Sequence, residues 1–202
     1  MAKVAGMASR LVRGTAIGCG VAALVGGGVG FAVGEPVTQA DIPPPRTLPK
    51  DLCVKIGDVS SLLPKASAGP VAMIQGGTSD VTCQAGTSRA KVRAYTSASV
   101  SVTVTPYGGQ DAGAGNTPFT PAQVAKRTFT RSPLKSYDKD RPYPTKVSRT
   151  ESGLAGESWK VRALVQHADI VVLVEYTANP IDGDSAQKAA LALADRAIWE
   201  SK

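Results

Sequence analysis

Between Gly14 and Gly34 the sequence holds no charged residue, and residues 1–13 carry three cations, Lys3, Arg10 and Arg13, with no acid. That run is close to the roughly 20 residues a helix needs to cross a bilayer. Cations on its leading side keep the N-terminus in the cytoplasm and send the remainder across. The chain therefore divides into a basic cytoplasmic segment (1–13), a transmembrane anchor or signal segment (14–34), and a portion that has to fold by itself outside the cytoplasm. The expected location is the cell membrane, single-pass, with the C-terminus extracytoplasmic. Secretion after cleavage is the alternative, because Ala32-Val33-Gly34 and Thr38-Gln39-Ala40 both offer small residues to a signal peptidase. Ala16-Ile17-Gly18-Cys19 loosely resembles a lipobox, yet the apolar stretch follows that cysteine where a lipoprotein has it ahead.

Gly14, Gly18, Ala22, Gly26, Gly30 and Gly34 recur at every fourth position, so on a helix they form one ridge of small residues where a second helix backbone can approach. Gly26, Gly30 and Gly34 are the candidates for self-association, giving a homodimer through the anchor. The competing reading is that glycine merely lowers the hydrophobicity of a cleavable signal.

Residues 35–51 contain Pro36, Pro43, Pro44, Pro45 and Pro49, which resist helix and favour an extended backbone. At about 3.1 Å per residue such a stalk reaches roughly 50 Å. The domain is then expected over 52–202, a length that suits one modest core. With the N-terminal cations set aside, the net charge of +7 leaves the domain only mildly basic, which does not point to nucleic acid.

The patterning within 52–202 predicts an α+β domain, an antiparallel sheet with flanking helices. A short helical stretch is expected over 58–63, ended by Pro64. Strands are expected over 80–85 and 89–95. Val100, Val102 and Val104 alternate with Ser99, Ser101 and Thr103, the period of a strand with one buried face. Residues 108–118 read as a flexible loop. Thr120-Pro121-Ala122-Gln123 has the chemistry of a helix start, with a hydroxyl cap, a proline in the first turn and a glutamine that can reach back, so a helix should run to about Phe129. Residues 158–165 and 169–177 read as an antiparallel hairpin. A final helix starts near Asp184, with Ala186, Ala190, Leu193 and Ala197 on one apolar stripe.

Cys19 lies in the apolar segment, which leaves Cys53 and Cys83 as the pair in the exported part. Outside the cytoplasm an even pair points to a disulfide. Redox chemistry and unpaired thiols are the other readings, although no Cys-x-x-Cys spacing favours exchange.

Leu52-Cys53 followed by a Leu-Leu-Pro turn, a second cysteine in a strand at Cys83, the run Gly153-Leu154-Ala155-Gly156-Glu157 ahead of the strand pair, and an alanine-rich terminal helix together resemble actinobacterial cell-envelope domains of unknown function, often lipoproteins. More distantly they resemble the extracellular sensor domains of bacterial serine/threonine kinases. The resemblance covers most of the domain and lies in its layout. It implies a disulfide-stapled antiparallel sheet with flanking helices and no established activity.

Chemistry is sparsely provided. His167 is the only imidazole and falls at an expected hairpin tip, with Asp169 beside it, a poor setting for a preorganised base. One histidine and a committed cysteine pair cannot make the usual zinc set. Glu151, Glu157 and Glu175 are acids near strands, with nothing in their spacing that demands glycosidase chemistry. No enzyme, cofactor or metal is expected.

One interval stands above this background. Lys126, Arg127, Arg131, Lys135, Lys139, Arg141, Lys146 and Arg149 face only Asp138 and Asp140, with Phe129, Tyr137 and Tyr143 interleaved. Lys126, Arg127, Arg131, Lys135, Lys139 and Arg141 are the candidate contacts to an anionic partner: an envelope polymer, lipid headgroups or an acidic protein face. The alternative is a solvated helix end and loop. The leading expectation is a non-enzymatic, membrane-tethered extracytoplasmic interaction or sensing domain. A small-molecule or lipid carrier, with a pocket between sheet and C-terminal helix, is the second reading, and an envelope enzyme the third.

Overall fold

The computed structural model describes residues 41–64, 71–77, 80–91, 94–113, 116–137, 139–152 and 157–202. The expected anchor with Gly26, Gly30 and Gly34, and the run 153–156, lie outside the described residues. No helix among the described residues is long and apolar enough to cross a membrane.

The elements in chain order are α1 (Leu52–Ile56), a 3-10 turn (Ser60–Leu62), β1 (Ile74–Gly76), β2 (Val81–Lys91), β3 (Ala94–Pro106), α2 (Pro121–Arg131), β4 (Lys135–Ser136), β5 (Thr145–Glu151), β6 (Trp159–His167), β7 (Ile170–Asn179) and α3 (Gly183–Glu200). The strands form one seven-stranded sheet, antiparallel throughout, in the order β1-β2-β3-β7-β6-β5-β4. The antiparallel sheet, the flanking helices and the C-terminal helix match the expectation.

Register assigns the two faces of the sheet. Cys83, Val102, Val174 and Ala163 stand in one cross-strand row, with Val147 beyond them. They point into the core with Val100, Val104, Val161, Val165, Val172 and Tyr176. Ala186, Ala190, Leu193, Ala194 and Ala197 of α3 are fully buried in the same core. Small alanines let the helix lie close to a sheet face crowded with valine. The α3 start is fixed by the Asp182 carboxylate, which accepts from Ser185 N, so the cap falls two residues before the predicted Asp184.

Cys53 on α1 is bonded to Cys83 on β2, with Cα atoms 5.3 Å apart. The bridge joins α1, together with buried Leu52 and Ile56, to the core face. Below it, the Tyr176 hydroxyl donates to Leu62 O at 2.7 Å. Burial pushes the Tyr176 phenol up to about 12, because the phenolate would lose its water.

Three expectations change. The helix foreseen over 58–63 is a single 3-10 turn, and the α-helix lies just before it at Leu52–Ile56; Asp58 instead accepts from Ser60 and Val71 as a turn former. The strands foreseen over 80–85 and 89–95 are not separate elements: β2 runs unbroken from Val81 to Lys91, and the alternating strand of Val100, Val102 and Val104 is a longer β3 that starts at Ala94. Strand β5, hidden inside the basic interval, had no expected counterpart.

The stalk also ends sooner than its composition implies. Gly109 N donates to Pro43 O at 2.7 Å, Arg46 pairs with Asp169 at 3.3 Å, and Leu48 is buried. Glycine permits this close approach. A Cβ at Gly109 would lie 2.7 Å from Pro43 Cδ, 3.2 Å from Ile42 Cγ2 and 3.1 Å from Phe119 O, and one at Gly108 would lie 2.8 Å from Pro45 Cδ. Residues 42–48 are thus a proline strap laid on the loop after β3 and on the β6-β7 tip. Proline suits this role because it has an acceptor carbonyl and no donor left to satisfy.

Candidate functional site

Helix α2 sits on the sheet face opposite α3. Thr120 and Gln123 form a full capping box, as their sequence spacing predicts: Thr120 N donates to Gln123 Oε1 at 2.8 Å, and Gln123 N donates to Thr120 Oγ1 at 3.3 Å. The helix then runs to Arg131, two residues past the predicted end. Only a narrow stripe is anchored. Ala125 is buried against Leu164 and Val171, with Phe129, Leu134, Leu173 and Tyr107 around them. The rest of α2 faces outward, and its sequence contains no acid.

The basic interval separates into two populations. Arg141 is mostly buried, at 13% side-chain exposure; its guanidinium pairs with Asp195 of α3, and its Nε donates to Thr145 Oγ1 at 3.0 Å. Arg149 pairs with Asp184 at the start of α3 and lies over the Trp159 ring. Lys146 is buried, and its Nζ donates to Thr130 O at 2.9 Å and Ser132 O at 2.8 Å. Those are end-of-helix carbonyls of α2 that lack partners within the helix. These three cations hold elements together. Arg141, one of the six candidate contacts, is therefore engaged inside the domain, because its neighbour in the fold is an acid on the C-terminal helix that sequence distance conceals.

Lys126, Arg127, Arg131, Lys135 and Lys139 form no ion pair among the described residues. Lys126, Arg127 and Arg131 line a groove of about 380 Å³ with Phe119, Gln123 and Thr130, and its walls are mostly apolar. Arg127 lies 4.2 Å over the Phe119 ring, a cation held on an aromatic face. The groove is amphipathic: charged heads at the rim, a ring and aliphatic stems below. Phe119 escaped the sequence reading, although its place just before the capping threonine is where a hydrophobic staple residue belongs.

Lys139 lies apart, in a second depression of about 550 Å³ formed by Tyr137, Asp140, Arg141, Pro142, Tyr143 and Pro144. Lys135 is exposed on the edge strand β4. The structure thus brings three of the six candidates together in one groove, sets Lys139 and Arg141 around another depression, and leaves Lys135 apart.

A third depression, about 470 Å³, is shallow and lies on the part of the outer sheet face that α2 leaves uncovered, among Gln84, Ser99, Ser101, Lys160, Glu175 and Thr177. Here Glu175 pairs with Arg162 at 3.0 Å. Glu151 is exposed at the end of β5 and belongs by register to the other side of the sheet, so these acids do not converge. His167 is half-buried and meets the Tyr143 ring edge-on, with centroids 4.8 Å apart. Among the described residues no group of three or more His, Cys, Asp or Glu could hold a metal ion. The contact between α3 and the sheet, where a carrier would keep its pocket, is filled by buried side chains.

No known family model matches the chain, and no curated protein matches it in sequence.

Proposed function

We propose that this chain is a membrane-tethered extracytoplasmic interaction domain that meets an anionic partner through the outward face of α2. The observation that carries this reading is the separation of the basic residues. Arg141, Lys146 and Arg149 each have an intramolecular acceptor, whereas Lys126, Arg127 and Arg131 converge on an amphipathic groove without one among the described residues. Cations that a fold keeps together, with no acid paired to them among the described residues, offer an anion several charges at once. The disulfide suits an oxidising compartment, and the uncharged run 14–34 supplies the tether. The domain's rigidity comes from the opposite, core face, so the binding face can vary in charge without unfolding it.

The reading is tested by anion binding of the full chain in detergent, with poly(glycerol phosphate) as the probe. Binding should weaken steeply with salt, and Arg127→Glu with Arg131→Glu should weaken it about tenfold or more while the circular dichroism spectrum stays unchanged. Equal binding by the reversed variant would remove the assignment of the face. Fractionation with thiol titration checks the tether, which requires a membrane-bound product whose Cys53 and Cys83 resist alkylation.

A further inference from the structure

The proline strap decides where the binding face stands relative to the point at which the chain joins the domain. Ile42 and Pro43 flank Gly109, and the carbonyl of Phe119 flanks the same glycine from the other side. Gln110 and Phe119 exchange both backbone hydrogen bonds, at 3.0 and 2.8 Å. Phe119 in turn carries Arg127 on its ring. The first strap residues therefore lie one glycine away from the groove of Phe119, Lys126, Arg127 and Arg131.

The strap also limits how much chain can serve as a tether. In sequence, residues 35–40 lie between the uncharged run and Asp41. Six residues can span at most about 21 Å. A tether of that length keeps a bound domain at a millimolar effective concentration near the surface it hangs from. An amphipathic groove rimmed by cations is complementary to that surface when it is anionic: phosphate groups meet the guanidinium and ammonium heads, and the glycerol and upper acyl region meets Phe119 and the aliphatic stems.

We propose that the anionic partner is the lipid headgroup layer of the tethering membrane itself, so that the α2 face docks the domain on its own bilayer. This rests on the membrane-tethered reading above and deepens it. Each cation brought to an anionic surface contributes about fivefold in association. Three of them multiply to roughly a hundredfold, which favours the docked arrangement on an anionic bilayer over a neutral one.

The test uses the full 202-residue chain in nanodiscs of pure phosphatidylcholine or of phosphatidylcholine with 30% phosphatidylglycerol (about, by mole). Amine acylation is followed by mass spectrometry. Lys126 should be acylated about fivefold more slowly in the anionic discs, while Lys188, exposed on α3 across the sheet, reacts equally in both. High salt, or Arg127→Glu with Arg131→Glu, should abolish the protection. A flexible insert of twenty or so residues at position 38 should reduce it several-fold by diluting the tethered domain. Equal rates in both lipids would overturn the docking proposal. If poly(glycerol phosphate) still protects Lys126 in detergent, the anionic-partner reading survives and only the lipid assignment fails. Protection in neither arm discards both.

Discussion

The two faces of the sheet use the same residue types for opposite ends. On the core face two arginines are answered, Arg141 by Asp195 and Arg149 by Asp184, both acids belonging to α3. On the outer face, α2 is held by a stripe of Ala125 and Phe129, leaving Lys126, Arg127 and Arg131 without an acid among the described residues. Lys146 sits between the two roles, a buried cation closing the end of α2. A high density of basic residues in sequence is therefore not one feature. It is a set of structural clamps beside a set of cations that have no acid among the described residues.

The comparison breaks most readily at the disulfide. Cys53→Ser with Cys83→Ser opens a link between residues 30 apart, and chain entropy sets the expected loss at about 3 to 4 kcal/mol in urea unfolding. Anion binding by the molecules that remain folded should not change, since α2 lies on the other face. A parallel loss of binding would show that the faces are not independent.

Lys146→Ala is the next largest effect. It orphans two carbonyls and empties a buried site, and should lower stability by about 2 kcal/mol. Lys126→Ala, in the same unfolding assay, should stay within about 0.5 kcal/mol. Equal losses at the two lysines would erase the distinction between clamp and surface.

Arg141 and Asp195 sharpen the point. Each alanine variant should cost about 1 kcal/mol, and a double-mutant cycle should return most of that as coupling, because the guanidinium is largely sheltered from solvent. Coupling near zero would return Arg141 to the free population.

The smallest effect separates the two helix caps. The side-chain and backbone hydrogen bonds from Ser185 hold the Asp182 carboxyl below its ordinary range. Its contribution to α3 is complete above the unfolded carboxylate pKa and is lost as pH falls through the lower folded value. Stability measured across the acid range should show this slight loss in the native chain, and Asp182→Asn, which still caps, should remove that dependence. Thr120 and Gln123 at the start of α2 do not titrate, so an acid-dependent loss of α2 traced to its cap would contradict the assignment.

Sequence legibility followed the range of the interactions. The α2 capping box, the hairpin of β6 and β7, the alternation in β3 and the alanine stripe of α3 all rest on residues within a few positions of each other, and all four are present. Strand β5 was missed because its lysine and arginine mask the apolar signal of Val147, and because the buried Lys146 reads as a surface residue until the end of α2 is placed over it. The strap was missed because proline composition announces an extended backbone and says nothing about what that backbone lies against.

The sequence alone determined the local grammar: where helices start, which strands alternate, which two cysteines are left to pair, and that the basic residues gather between 126 and 149. Only the tertiary structure decided which of those cations have partners, since Asp195 and Asp184 are far from Arg141 and Arg149 along the chain and reach them through packing of α3 on the sheet. The physical reason is that a cap or an alternation is satisfied by neighbours in sequence, whereas a charge is satisfied by whatever the fold brings within about 4 Å of it.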